Sequence, residues 1–240
     1  MARLSREVNR LVGKAIHRYS MLADGDRILV AVSGGSDSML CLWFLRHWLR
    51  KAPISYCLFP VYLDMGFGSE AWDTLDRYIQ SIKLPFHREE TDYGLAAHDD
   101  RNLGKSPCFV CAMKRRRRLF ELADIMGCNK IALGHNLDDL IETFFINILY
   151  AGETGTMHPC QEMFRGKITI IRPLALVEKK KVAALAGKLR LPEVENPCPS
   201  SGKSKRTEIR QWIEKLSEAD PAIRGNVRRA MGRIRSDYLL

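Results

Sequence analysis

The stretch Ile28-Leu29-Val30-Ala31-Val32-Ser33-Gly34-Gly35-Ser36-Asp37-Ser38 runs an apolar strand straight into a short turn of glycine and serine. The residues after it, from Met39 to Trp48, are apolar enough for a helix buried on a sheet. A strand, a tight turn and a helix in that order form an anion site. Gly34 and Gly35 reach backbone angles closed to other residues and let the main chain approach a phosphate, while Ser33, Ser36 and Ser38 offer hydroxyls. The helix opening near Asp37 directs its unpaired N–H groups and its positive dipole end at the same point. Asp37 itself reads as a helix N-cap, as part of a magnesium or phosphate network, or as both. The loop is not of the Walker A type, which needs four residues between its glycines and a Lys-Ser/Thr pair after the second.

Outward from this loop, the pattern alternates. Helices are expected over 5–22, 37–50, 70–82, 112–126, 137–149 and 178–189, and strands over 27–32, 56–63, 86–90, 130–133 and 168–171. Such alternation predicts an α/β fold, a doubly wound, mostly parallel sheet with helices on both faces. Ligands of such sheets bind beyond the carboxyl ends of the strands, where the loops after Val32, Leu63 and Leu133 are expected to meet. The chain is expected to divide into an N-terminal helix (1–24), the nucleotide-binding domain (25–190), and a cysteine-bearing loop with a basic helical tail (191–240).

At 240 residues and 46% hydrophobic, the chain can bury a substantial core. It holds no stretch of membrane-span length and its charged start is no signal peptide, so a cytoplasmic location with no membrane partner is expected. Seven cysteines without a secretion signal point to reduced, metal-binding or catalytic thiols rather than a disulfide framework. The formal charge of +10 implies a polyanionic partner. Lys114-Arg115-Arg116-Arg117-Arg118 is one basic run, and the segment from Cys198 onward carries ten Lys/Arg against five Asp/Glu. Either can be a solvated face, but two basic regions, each following a cysteine motif, fit an RNA-binding rim around a reactive centre.

Cys108-Phe109-Val110-Cys111, after Pro107, opens a helix, and two thiols spaced in this way grip one metal or one cluster edge. No second close pair exists to complete a four-cysteine zinc site. Cys41, Cys57 and Cys128 read as buried structural thiols, and Cys160 as a weak candidate in a loop. Cys198 stands in the irregular polar loop Asn196-Pro197-Cys198-Pro199-Ser200-Ser201-Gly202, where a thiol has no packing reason to be. Cys108, Cys111 and Cys198 as three ligands would hold a [4Fe-4S] cluster with one open iron or, as the lesser alternative, a zinc ion with one open position.

A third constellation, Gly134-His135-Asn136-Leu137-Asp138-Asp139-Leu140-Ile141-Glu142, follows a strand. Asp139 and Glu142, like Asp138 and Glu142, share a helix face. These carboxylates either complement the helix dipole or hold magnesium against ATP phosphates. His135 reads as a core or capping residue, a phosphate contact or a proton relay.

The loop Ser33–Ser38 resembles the pyrophosphate-binding loop of the ATP pyrophosphatases, whose fold is the adenine nucleotide alpha hydrolase-like (PP-loop) one. Taken with the Val61-Tyr62-Leu63-Asp64 strand end, Cys108 and Cys111, the Gly134–Asp139 stretch, Ile171-Arg172-Pro173-Leu174 and Cys198, the chain resembles the tRNA 2-thiocytidine synthetase family. The related tRNA 2-thiouridine synthetases are somewhat further off. The matching features run in family order over most of 24–210.

The resemblance implies an ATP-dependent sulfurtransferase acting on tRNA. The C2 oxygen of an anticodon-loop cytidine is adenylated, pyrophosphate leaves, and cluster-bound sulfur displaces AMP. It implies ATP, Mg2+ and the [4Fe-4S] cluster as cofactors, and a sulfur donor, either a cysteine desulfurase or inorganic sulfide, as a partner. It also admits a homodimer. By the same resemblance Ser33, Gly34, Gly35, Asp37 and Ser38 contact pyrophosphate, Leu63 the adenine through its backbone, and Gly134 the nucleotide. Asp37 and Asp139 are the carboxylates of the chemistry, Asp139 for magnesium or catalysis, and Cys108, Cys111 and Cys198 deliver sulfur. Two departures stand out: Ser36 occupies a position where many members have lysine, and Pro199-Ser200-Ser201 follows the third cysteine, which in some members has a cysteine companion. The rival readings are a lysidine synthetase-like ligase, an enzyme thiolating a small molecule, and a non-catalytic ATP- and metal-binding RNA sensor.

Overall fold

The computed structural model describes residues 2–68, 71–99, 104, 106–195, 197–202 and 204–233. Glu70, at the expected start of a helix, and Asn196 lie outside the described residues, as does the end of the basic tail. The chain forms two compact units, 1–136 with 159–201, and 137–158 with 202–240. This partition cuts the chain at other places than 24 and 190.

The first unit carries a six-stranded sheet in the order β3-β2-β1-β4-β6-β5. Its strands are β1 (Asp26–Ala31), β2 (Tyr56–Asp64), β3 (His87–Glu90), β4 (Lys130–Ala132), β5 (Cys160–Met163) and β6 (Ile168–Ile171). All neighbouring pairs are parallel except β5 with β6. The mostly parallel α/β architecture follows from the alternation of elements. β5 is the strand that alternation does not announce. Its Gln161 and Glu162 are exposed, so it has no apolar signature, and it reaches β6 through a turn with Phe164, Arg165 and Gly166 all at positive φ. Cys160, expected in a loop, thus opens an edge strand opposite Ile171.

Alternate residues of β1 divide the core between two faces, as the strand repeat requires. Ile28 and Val30 pack with helices α1 (Ala2–Arg18), α2 (Ser36–Leu49), α3 (Ala71–Ser81) and α7 (Lys179–Lys188). Leu29 faces the other way, with Val61, Leu63 and Ile131, against Leu119, Leu122 and Ala123 of α5 (Pro107–Ile125). The N-terminal helix is therefore part of this core: Val8, Val12 and Ala15 are fully buried. Cys41 and Cys128 are buried as expected, whereas Cys57 points outward from β2 and is exposed. A short helix α4 (Tyr93–Ala97), unannounced by the sequence, follows β3.

The second unit is helical. It holds α6 (Leu137–Ile146), continued by a π-helical turn (Asn147–Ala151), with α8 (Lys205–Ala219) and α9 (Ile223–Ala230). Leu137 and Ile141 pack against Ile209 and Ile213, flanked by Phe145, Ile146, Val227 and Met231. The tail's basic helices thus have an apolar face of their own to bury.

β1 lies between β2 and β4, so the chain leaves its end in one direction while the β4 branch lies on the other side. This is the switch point of a doubly wound sheet. There the turn after β4 presses on the start of α2: a Cβ at Gly134 would lie 2.8 Å from the carbonyl carbon of Asp37 and 2.8 Å from the Ser38 nitrogen. Only glycine fits. Gly134→Ala is therefore expected to lower the unfolding free energy by about 1–3 kcal/mol, the range for overpacking a tight contact. Gly187→Ala in α7, where an added Cβ meets nothing within 4 Å, is expected to leave stability unchanged or raise it. Urea unfolding of the pair checks this, and an equal effect of both would refute the close approach.

Candidate functional site

The turn after β1 is folded by Ser38. Its buried hydroxyl donates to the Gly35 carbonyl (2.9 Å) and accepts from the Ser33 N–H (3.0 Å) and the Ser33 hydroxyl (3.2 Å). Its one proton is spent inside the loop, so Ser38 shapes the turn. Gly34 stands at φ +83°, and no side chain caps α2, whose N-cap is Gly35. The first N–H groups of a helix have no intrahelical partner, so here the backbone itself presents the donors. Ser33, Gly34, Gly35, Asp37 and Ser38 share this turn and the first turn of α2.

The β4 turn completes this region. Asn136, fully buried, donates its amide to the Asp37 carboxylate at 2.9 Å. The bond fixes the rotamer of Asp37 from a different strand, beside the Gly134 contact. His135, next to both, accepts at Nδ1 from Arg172 Nε (3.2 Å). Arg172 follows β6 and is buried, and that burial, helped by repulsion from Arg116, pushes its guanidinium down to about 10. Ser36 supplies no cation to the loop, and Arg172 is the charged group that the fold sets behind His135. Sequence reasoning gave Asn136 and Arg172 no role, although both sit in the quoted motifs.

Leu63 lies near the end of β2. The Val32 N–H donates to the Val61 carbonyl (2.8 Å), so Val61 faces β1. Polar groups alternate sides along a strand, so the N–H and C=O of Leu63 also face the β1 side. At that level β1 has ended and the Ser33–Gly35 turn has begun. This is the geometry that a backbone contact to a base ring requires.

The cysteines belong to the same unit. Ser106 caps α5, its hydroxyl accepting from the Phe109 N–H (3.3 Å), and Pro107 takes the first helical position. The helix therefore starts at Pro107, not at 112; Cys108 sits in its first turn, where unpaired N–H groups favour a thiolate, and Cys111 opens the next turn. Cys108 is exposed, while Cys111 and Cys198 are half-buried. Burial raises the Cys111 thiol; Arg115 and Lys114 lower it, and the proximity of Cys198 and Cys108 raises it. Cys108 and Cys198 thus each lie within electrostatic reach of the Cys111 thiol. Among the described residues no three His, Cys, Asp or Glu side chains are close enough for one metal ion. Zinc needs every sulfur about 2.3 Å from one point, whereas a cubane cluster puts each thiolate on a different iron and so accepts wider spacing. The donor set fits the cluster better than zinc.

The basic run of α5 is partly absorbed by ion pairs. Arg118 bonds Glu89 of β3 (2.7 and 2.9 Å) and Glu121 (3.0 Å), and Arg117 bonds Glu121 (2.9 Å). Arg115 and Arg116 are exposed.

In the second unit the acidic start of α6 meets arginines of the tail. Asp138 pairs with Arg224, Asp139 with Arg206 (3.4 Å), and the buried Glu142 with Arg210 (2.6 Å). Arg206 also donates to Thr143 (3.1 Å). The dipole-complementing role of these carboxylates coexists with a side-chain ion-pair network that holds α8 and α9 to α6. No helix among the described residues is long and apolar enough to cross a membrane.

Residues 2–216 match the family model of the PP-loop domain. The chain is 37% identical over 240 residues to a tRNA-cytidine(32) 2-sulfurtransferase of Syntrophotalea carbinolica, covering 99% of this chain and 93% of that protein. It is 35% identical over 237 residues to the enzyme of the same name from Geobacter sulfurreducens, covering 98% and 92%. Among solved structures it is similar to a U34-tRNA thiolase, NcsA, from Methanococcus maripaludis with its [4Fe-4S] cluster. That match has a TM-score of 0.76 at 23% identity and covers 97% of this chain and 80% of that one, a likeness of fold. Matched by the PP-loop domain model over residues 2–216 and by both relatives over nearly the full length of each chain, this chain belongs to the PP-loop domain family and, within it, to the tRNA-cytidine(32) 2-sulfurtransferases.

Proposed function

We propose that this protein thiolates C2 of an anticodon-loop cytidine in tRNA at the expense of ATP, in the cytoplasm. The observation that carries the reading is the convergence of Cys108, Cys111 and Cys198 in the unit that holds the Ser33–Ser38 turn. In the reaction, the C2 oxygen attacks the α-phosphorus of ATP and expels pyrophosphate. A sulfur nucleophile then adds at C2, and the C2–O bond breaks to release AMP. An amide-like oxygen is a poor leaving group, and adenylation makes it a good one.

The backbone N–H groups of Gly34 and Gly35 and the open start of α2 hold the pyrophosphate and stabilise the charge that develops on it. Ser33 and Ser38 keep the turn in shape. Leu63 receives the adenine edge, and Gly134 leaves room for the nucleotide turn. Asp37, oriented by Asn136, is the carboxylate for Mg2+, which draws charge from the leaving phosphates when bound. Asp139, which pairs with Arg206 within the second unit, is the other candidate carboxylate, for magnesium or catalysis. Cys108, Cys111 and Cys198 would hold the [4Fe-4S] cluster, which would supply the sulfur, either as bound hydrosulfide or through a cysteine persulfide. The sulfur arrives from a cysteine desulfurase or as inorganic sulfide.

Anaerobic reconstitution followed by iron and sulfide analysis tests the reading. Wild type is expected to hold about four irons per chain and to release pyrophosphate with tRNA, and Cys108→Ala, Cys111→Ala and Cys198→Ala each to lose both the cluster and the thiolated product. One zinc in place of iron, or full activity without Cys198, would leave only a metal-stabilised adenylating enzyme. For the tRNA itself, replacing the exposed Arg228 and Arg229 of α9 by Ala is expected to weaken binding across tRNAs and to reduce the slope of log K against log salt by about 1 for each phosphate no longer neutralised. An unchanged slope would exclude α9 from the RNA interface.

A further inference from the structure

Two chain segments have to be placed relative to one another before the three cysteines can share a site, and two of the cysteines arrive together. Cys108 and Cys111 are fixed by their own helix. Cys198 stands alone in a loop that has no regular structure, so something outside that loop must set its position. Its own turn is closed locally, the Ser201 N–H donating to the Cys198 carbonyl at 2.9 Å. That bond fixes Ser200 relative to Cys198.

The tie runs through His98, at the end of α4. Its Nδ1 lies 2.8 Å from the Gly94 carbonyl, and its Nε2 lies 2.7 Å from the Ser200 hydroxyl. A carbonyl only accepts, so Nδ1 bears the proton, and in the neutral ring Nε2 accepts from the Ser200 O–H. The ring edge rests on Phe67 at 5.6 Å between centroids and 82° between planes, which fixes its tilt. Behind His98 the chain of contacts leads to the other two thiols. The Gly94 N–H donates to the Met65 carbonyl (2.9 Å), and the Cys111 thiol donates to the Met65 sulfur at 3.6 Å. The β2 end thus touches both α5 and α4, and His98 extends that scaffold to the third cysteine.

We propose that His98 is a positioning residue for Cys198. Through Ser200 it holds the third thiol at the spacing that the cluster needs. The inference rests on the three-cysteine reading above. It goes beyond that reading in assigning the third ligand's placement to a histidine and a serine that are not themselves ligands. Partners that orient metal ligands from outside the coordination shell typically change metal affinity 10–100-fold when removed.

The test uses full-length protein, reconstituted under anaerobic conditions. Iron transfer to a chelator is followed for wild type, His98→Ala, Ser200→Ala, the double variant and His98→Gln, with Cys198→Ala as reference. The expected result is roughly 10-fold or faster iron loss in either single Ala variant. The double variant should lose iron no faster than the singles, because they remove the same bond. His98→Gln, whose amide keeps an acceptor near the Nε2 position, should fall closer to wild type. Thermal unfolding and ATP binding are expected to stay unchanged, which a general packing role for His98 would not leave so. Should His98→Ala fail to fold, Ser200→Ala alone carries the comparison.

A second readout needs no iron. In metal-free protein, dibromobimane bridges nearby thiols, and mass spectrometry identifies the Cys111–Cys198 bridge. That bridge is expected to form at least 5-fold more slowly in Ser200→Ala and His98→Ala. Wild-type rates of both iron loss and bridging in these variants overturn the proposal. Retention of iron by Cys198→Ala would overturn the cluster reading instead, and the bridging rate alone then decides whether His98 places Cys198.

Discussion

The molecule is organised by one close backbone approach. At the switch point of the sheet, Gly134 lets the turn after β4 lie against the main chain of Asp37 and Ser38, where a side-chain carbon would come within 2.8 Å. Two residues on, Asn136 reaches Asp37 from a fully buried position. The nucleotide turn is therefore braced from a second strand, and its shape does not depend on its own few residues. Ser38 closes it from inside. A turn held from both sides loses little entropy when an anion arrives, which is what preorganisation of donors requires.

The same turn is mechanically joined to the thiols. The Val194 N–H donates to the Gly34 carbonyl at 3.0 Å, and a Cβ at Gly34 would sit 2.9 Å from the Val194 Cβ. Cys198 follows Val194 by four residues. The third cysteine hangs between two anchors, Gly34 on the nucleotide side and His98 on the sulfur side.

Which of these features are legible in the sequence follows from how local their signals are. The strand, the turn and the helix around Ser33–Ser38 are contiguous, and so are the CxxC pair and its helix. Both appear in the structure within a few residues of their expected bounds, the exception being the earlier start of α5 at Pro107. The Ser-Pro pair that caps it is itself a start signal. β5 is illegible because an edge strand with Gln161 and Glu162 exposed shows no apolar alternation. Asn136 and His98 are illegible for another reason. Their work is a bond to a residue distant in sequence, Asp37 in one case and Ser200 in the other, and periodicity carries no trace of such a bond.

Charge shows the same limit. The basic tail reads as an RNA surface from its composition, yet within the second unit Arg206, Arg210 and Arg224 face Asp139, Glu142 and Asp138. Glu142 is nearly inaccessible to solvent. A carboxylate in that position is tolerated only with its guanidinium partner in place, and breaking such a pair leaves an uncompensated buried charge. Those arginines hold the helices together and are not available as a free field for phosphate. Exposed cations remain for an RNA backbone, among them Arg228 and Arg229 on α9 and Arg115 and Arg116 on α5. Specificity for one tRNA position has to come from the shape of the site around the thiols rather than from the tail's composition.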